Sequence, residues 1–111
     1  MRKVIAAVAV IAGLLAFQVA ADPLTLNQQP MYGGQEKTEA MRKADDEEFL
    51  AKITSMGLTR ESGSKKSVEL GWQYFFKGDV TTAMMRFNQA WFLNAENGDA
   101  YHGFAVVTAQ R

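Results

Sequence analysis

From Thr38 onward the apolar positions of this chain recur at helical spacing, and nowhere do they alternate as strand positions would. Met41, Ala44, Phe49, Ile53 and Met56 fall three to five residues apart on one stripe, with Arg42, Lys43, Asp45, Asp46, Glu47 and Lys52 on the opposite side or its flanks. Thr38 is placed as an N-cap and Gly57 as a stop, so the pattern predicts a helix over 38–56, within a unit at 38–57. A polar connector follows at 58–64. Helical spacing resumes at 65–77, turns at Gly78-Asp79, continues over 80–95, turns again at Glu96-Asn97-Gly98-Asp99, and ends in a helix over 99–110. The expected fold is therefore all-α. Residues 22–37 show no sustained period and hold both prolines and the Gly33-Gly34 pair, which predicts a flexible segment. Met31-Tyr32 is the point where that segment could attach to the domain.

The start of the chain has a different pattern. Arg2 and Lys3 precede an uncharged run over 4–20, and Val19-Ala20-Ala21 offers small residues just before Asp22-Pro23. Basic, apolar and small-residue parts in that order predict a signal peptide over 1–21 and a periplasmic or secreted mature chain. The alternative is an uncleaved anchor, since a run of this length lies at the lower limit for spanning a bilayer. Membrane contact is expected only through this segment.

Composition narrows the chemistry. The chain holds 12 basic and 12 acidic side chains; without Arg2 and Lys3 that leaves 10 against 12, with no basic footprint for nucleic acid. There is no cysteine, which removes thiol catalysis, iron–sulfur clusters and lipid attachment, and leaves packing or a partner to hold the fold. His102 is the single histidine, so no His-based metal site can form from one chain. Asp45-Asp46-Glu47-Glu48 fan out around a helix rather than converge, and are expected on a solvated face. No nucleophile elbow or phosphate loop is present. The expectation is a non-catalytic protein with no cofactor.

The stretch 65–97 is the most specific. Ser67-x-x-Leu70-Gly71-x-x-Tyr74 is followed by Gly78-Asp79, then Ala83-x-x-x-Phe87-x-x-Ala90, and Ala95. This resembles the tetratricopeptide repeat, a helical hairpin of roughly 34 residues with Leu-Gly, Tyr, Ala and Phe at matching places. Ser67 stands where an aromatic residue is usual, and Ala95 where a proline is usual. Gly71 and Ala83 are small enough for two helices to approach closely, while Tyr74 and Phe87 fill the wedge where they diverge. One repeat length further on, Tyr101, Phe104 and Ala105 take the places of Ser67, Leu70 and Gly71. That makes 98–111 the first helix of a second, incomplete repeat, or a capping helix.

The resemblance implies a ligand face on the first helix of each copy. Its positions are Lys65, Val68, Trp72, Phe75 and Phe76, then Asp99, His102, Val106, Ala109 and Gln110. Spacing alone places Val68, Trp72, Phe75 and Phe76 on one side. The favoured arrangement folds the 38–56 helix back so that Phe49, Ile53 and Met56 cover Trp72, Phe75 and Phe76; the other leaves them for a partner. Trp91 is expected between helices, and Phe92 against the final helix or partly exposed. The partner implied is another protein or peptide. Arrays usually need about three repeats to stand alone, so self-association is also open, as is a truncated relative of a longer array.

Overall fold

A computed structural model describes residues 24–111; the signal peptide expected over 1–21 lies outside the described residues. Among the described residues there are four helices and no strand, and no helix is long and apolar enough to cross a membrane. Helix α1 covers 39–55 as Glu39–Met41, a wider π turn at Arg42–Glu47, and Glu48–Ser55. Helices α2 (Arg60–Phe76), α3 (Val80–Leu93) and α4 (Gly98–Gln110) follow.

Each helix begins on a side-chain cap that satisfies an otherwise orphaned backbone N–H. Thr38 accepts from the Met41 N–H, and Asn97 accepts from the Asp99 N–H. Asp79 accepts from the Thr82 N–H at 3.0 Å, which holds its carboxyl below the usual carboxylate range. Gly57 (φ +76) and Gly78 (φ +88) close α1 and α2 in left-handed conformations that a side chain would resist.

Helix α2 starts five residues before the expected position, inside the stretch read as a connector. Thr59 and Ser62 exchange reciprocal bonds as a capping box, so the serines and Gly63 belong to the helix rather than to a loop. Gly63 is buried against Ile53 and Leu93. Arg60 donates to the Phe92 and Leu93 carbonyls and thereby caps the far end of α3. The buried Ser64 hydroxyl donates to the Ala90 carbonyl (2.7 Å) and accepts from the Asn97 amide (2.9 Å), which joins the starts of α2 and α4.

The core lies where α2 and α4 flank α3. Val68, Ala83, Met84, Phe87, Ala90, Ala100, Phe104 and Val107 form one buried cluster. Its centre is the fully buried Phe87 ring. A Cβ on Gly71 of α2 would lie 2.6 Å from that ring, and one on Gly103 of α4 closer still, so the two glycines grip it from both helices. Gly103 corrects the expected second copy. Helix α4 buries Ala100, Gly103, Phe104 and Val107, and leaves Tyr101 and Ala105 exposed. Helices α2 and α4 meet α3 from different sides, so they bury different faces, and a step of one repeat length transfers sequence but not burial.

The segment ahead of α1, expected to be flexible, is tied to α3. Turns at Leu26–Gln28 and Pro30–Gly34 lay it along the helix. The Asn88 side chain, 1% exposed, accepts from the Met31 N–H (2.8 Å) and donates to the carbonyls of Asn27 (3.1 Å) and Gln29 (2.8 Å). Arg111 donates to the Gln28 carbonyl. Trp91, expected between helices, packs half-buried against the core cluster and also meets the Tyr32 ring edge-on at 5.4 Å. Met31, Tyr32, Gly33 and Gly34 all have positive φ (52°, 58°, 65° and 74°), one left-handed turn that costs about 1–2 kcal/mol at each non-glycine residue.

A buried ion pair holds the end of this turn to α1. The Lys37 ammonium, its side chain 8% exposed, lies 2.7 Å from Asp46 Oδ1 and 4.3 Å above the Tyr32 ring. Asp46 is thus drawn out of the solvated acidic face expected for it. Burial works against the lysine charge, yet the Asp46 bond and the negative groups around it outweigh that and raise the Lys37 pKa. Burial chiefly raises the Tyr32 phenol as well. Both groups hold their protons more tightly folded than unfolded. Their contribution is therefore complete below the unfolded values of about 10 to 10.4 and is lost as pH climbs through the higher folded values. Titration above pH about 10 is expected to shift the 19F resonance of a fluorotryptophan at Trp91. In a Lys37→Met, Tyr32→Phe variant that shift should disappear, and its persistence there would place its origin elsewhere.

Helix α1 docks on a different surface from the one expected. Phe49 lies 6.5 Å from the Phe92 ring, and Ile53 is buried beside Gly63 and Leu93. Phe92, expected against the final helix or partly exposed, is thus half-buried under Phe49 and the Arg60 guanidinium. Met56, placed on the same apolar stripe, is exposed. The reason is local: the Gly57 turn is short, so α1 stays beside the start of α2 and the end of α3. A cleft of about 330 Å³ separates α1 from α3, lined among others by Lys37, Asp46, Phe49, Met85 and Gln89.

Candidate functional site

With α1 docked elsewhere, the last two turns of α2 keep an aromatic face that α4 extends. Trp72, Phe75 and Phe76 recur at i, i+3 and i+4, which puts three rings on one side of the helix. Trp72 is the hub. Its ring meets Phe87 edge-on at 5.0 Å, Phe75 edge-on at 5.7 Å and His102 at 5.4 Å, and stacks on Phe76 at 6.0 Å with 28° between planes. These separations suit favourable aromatic pairing. The contact with Phe87 is the physical link between the face and the core, and it fixes the orientation of the Trp72 ring.

The outer part of the face is open. Phe76 is 79% exposed, the largest exposure among the big apolar side chains of the described residues, and Phe75 is half-buried beside it. His102 is exposed, so its imidazole stands at the rim of the face. Of the residues expected on this face, Trp72, Phe75, Phe76 and His102 come together. Val68 is buried beneath them as part of the core, Val106 is half-buried, and Asp99 stands exposed in the first turn of α4. Lys65, Ala109 and Gln110 are exposed, and of the three only Lys65 is charged.

The repeat-defining residues divide between core and support. Gly71, Ala83, Phe87 and Ala90 are buried, Leu70 and Tyr74 are half-buried, and Gly78 makes the left-handed turn between α2 and α3. Tyr74 faces the other side of α2, with the Lys77 ammonium 5.1 Å and the Arg86 guanidinium 5.6 Å from its ring. Among the described residues no three His, Asp or Glu side chains converge as a metal site. The aromatic face can present flat apolar surface and one imidazole, a combination suited to holding an apolar segment of another chain. Comparison of the chain with protein-family models, with curated proteins and with solved structures found no match, so its functional reading rests on these residues and their geometry.

Proposed function

We propose that this chain is a non-catalytic, exported binding module of tetratricopeptide type that holds an apolar segment of another protein across Trp72, Phe75, Phe76 and His102. The observation that carries the reading is Phe76, a phenyl ring left almost wholly in water while stacked on a Trp anchored in the core. Support comes also from the Leu70-Gly71-Tyr74 and Ala83-Phe87-Ala90 pattern, and from the leader pattern at the start of the chain. Aromatic residues in such positions dominate binding energy, with losses of about 2 kcal/mol or more on truncation, roughly thirtyfold in affinity.

Phe76→Glu tests this. An exposed substitution is expected to leave thermal stability within about 0.5 kcal/mol while capture of a dominant partner from crosslinked envelope fractions is lost. Identical capture by the wild type and the Glu variant would remove the aromatic face from the proposal. A second reading, in which the ligand is another copy of this chain, is favoured by the outer side of α4. Tyr101, Ala105 and Thr108 lie exposed there at helical spacing, where the next helix of an array would pack.

A further inference from the structure

The hydrogen bonds that hold residues 24–31 to α3 and to the chain end share one property. Among the described residues they all reach backbone groups: Asn88 to Met31 N–H, Asn27 C=O and Gln29 C=O, and Arg111 to Gln28 C=O. The receiving side chain is almost fully buried and the bonds span 57 to 61 residues. This is a built site for a short peptide, filled by the chain itself. The body would satisfy the same bonds with the identical segment of any other copy.

The connection back to the body is the second observation. Between the anchored residues and α1 the chain runs through the left-handed turn at Met31 to Gly34, two of whose residues carry side chains, and then through extended Gln35. The strain of this turn lies in its backbone, since Met31 and Tyr32 hold φ of 52° and 58°. Its role is to return the segment to the α3 of its own chain. A short hinge under strain is the feature that favours exchange of an element between copies.

We propose that residues 24–31 are an exchangeable element, and that in a dimer of this chain the Asn88 of each copy holds the segment of the other. The hinge opens at 32–36, the Asn88 and Arg111 bonds re-form across copies, and the left-handed turn is free to unwind. The occupant is a second copy because only the body's contacts to its own sequence are on display, and these transfer without change. The aromatic face on α2 takes no part.

Two variants of the full chain separate donor from receiver. Asn88→Leu keeps the segment but loses the site. Met31→Pro keeps the site but removes the N–H and fixes φ near the opposite sign. In sedimentation velocity over a concentration series, the wild type is expected to pass from monomer to dimer. Each variant alone should stay monomeric at those concentrations, while their mixture forms a one-to-one heterodimer. Inserting six Gly/Ser residues after Gly34 should weaken the wild-type dimer about tenfold or more, because self-closure no longer needs the tight turn. Phe76→Glu should leave dimerisation unchanged, which keeps this outcome separate from that of the aromatic face. A wild type that remains monomeric throughout, variants that dimerise as it does, or a mixture no more dimeric than its parts each overturns the exchange. So does a free peptide of residues 24–34 that fails to compete with the heterodimer. If Asn88→Leu loses helix content, Asn88→Asp serves instead, since it keeps the acceptor for Met31 and removes both donations.

Discussion

Alanine at position 103 is expected to destabilise the protein by about 1–3 kcal/mol, against the usual direction of a glycine-to-alanine change in a helix. Helix propensity alone would favour the substitution by about 1 kcal/mol. The packing decides the sign: the new methyl would fall inside the Phe87 ring, which is fully buried and also held closely at Gly71. A flexible side chain could yield; an enclosed ring cannot without parting the helices. Each kcal/mol should appear as about 4–8 °C of melting temperature in a domain of this size. Gly98→Ala is the control, because nothing lies within 4 Å of a Cβ there. Phe87→Leu should cost less in the Gly103→Ala background than in the wild type, a coupling that a double-mutant cycle measures directly. Unchanged stability of Gly103→Ala would mean that α4 does not grip the ring.

Asn88→Leu is expected to free the residues before α1 while leaving α2, α3 and α4 folded. Three hydrogen bonds are lost, each with a net contribution of about 0.5–1.5 kcal/mol. Leucine has the same number and branching of side-chain heavy atoms, so no cavity confuses the result. The N–H of Met31 and the carbonyls of Asn27 and Gln29 would find water only by leaving the helix, which also strips Tyr32 from Trp91. Native-state hydrogen exchange should show lost protection at Met31 and Tyr32, with protection of Ala90 and Phe87 retained. Asn88→Asp, still able to accept from Met31, should fall between. Protection at Met31 that survives the leucine substitution would show that the turns hold themselves without Asn88.

Much of the helical frame is legible in the sequence because its signals are local. The spacing of Met41, Phe49 and Ile53, the Gly78-Asp79 turn, and the small residues at 71, 83 and 90 each state a need that neighbouring residues can meet. Gly103 is not legible in this way, because one repeat length from Gly71 lands on Ala105, two residues past the position that meets Phe87. Ser62, Gly63 and Ser64 read as loop in the sequence, although Ile53 and Leu93 need a residue without a side chain beside them at the early start of α2. The docking of α1 escaped for a broader reason: an apolar stripe says that a face must be covered, but not by what. Asn88 left the least trace. A polar residue on a helix reads as surface, and its partners are backbone groups, which carry no side-chain signature. Of the candidate site, the aromatic spacing was readable, while the sinking of Val68 into the core and the meeting of Trp72 with His102 depend on how α2 and α4 cross.

The grip on Phe87 also has a consequence in time. A buried phenyl ring turns over by rotating about its own axis, and the turn sweeps out space above and below its plane. Gly71 and Gly103 both lie too close to the Cδ1–Cε1 side of the ring to admit even a Cβ, so a half-turn requires α2 and α4 to draw back from it. The flipping rate of this one ring is therefore a clock for the breathing of the whole three-helix body. Its two edges should give separate NMR signals on cooling and merge on warming, at the temperature where the helices part often enough to let it through.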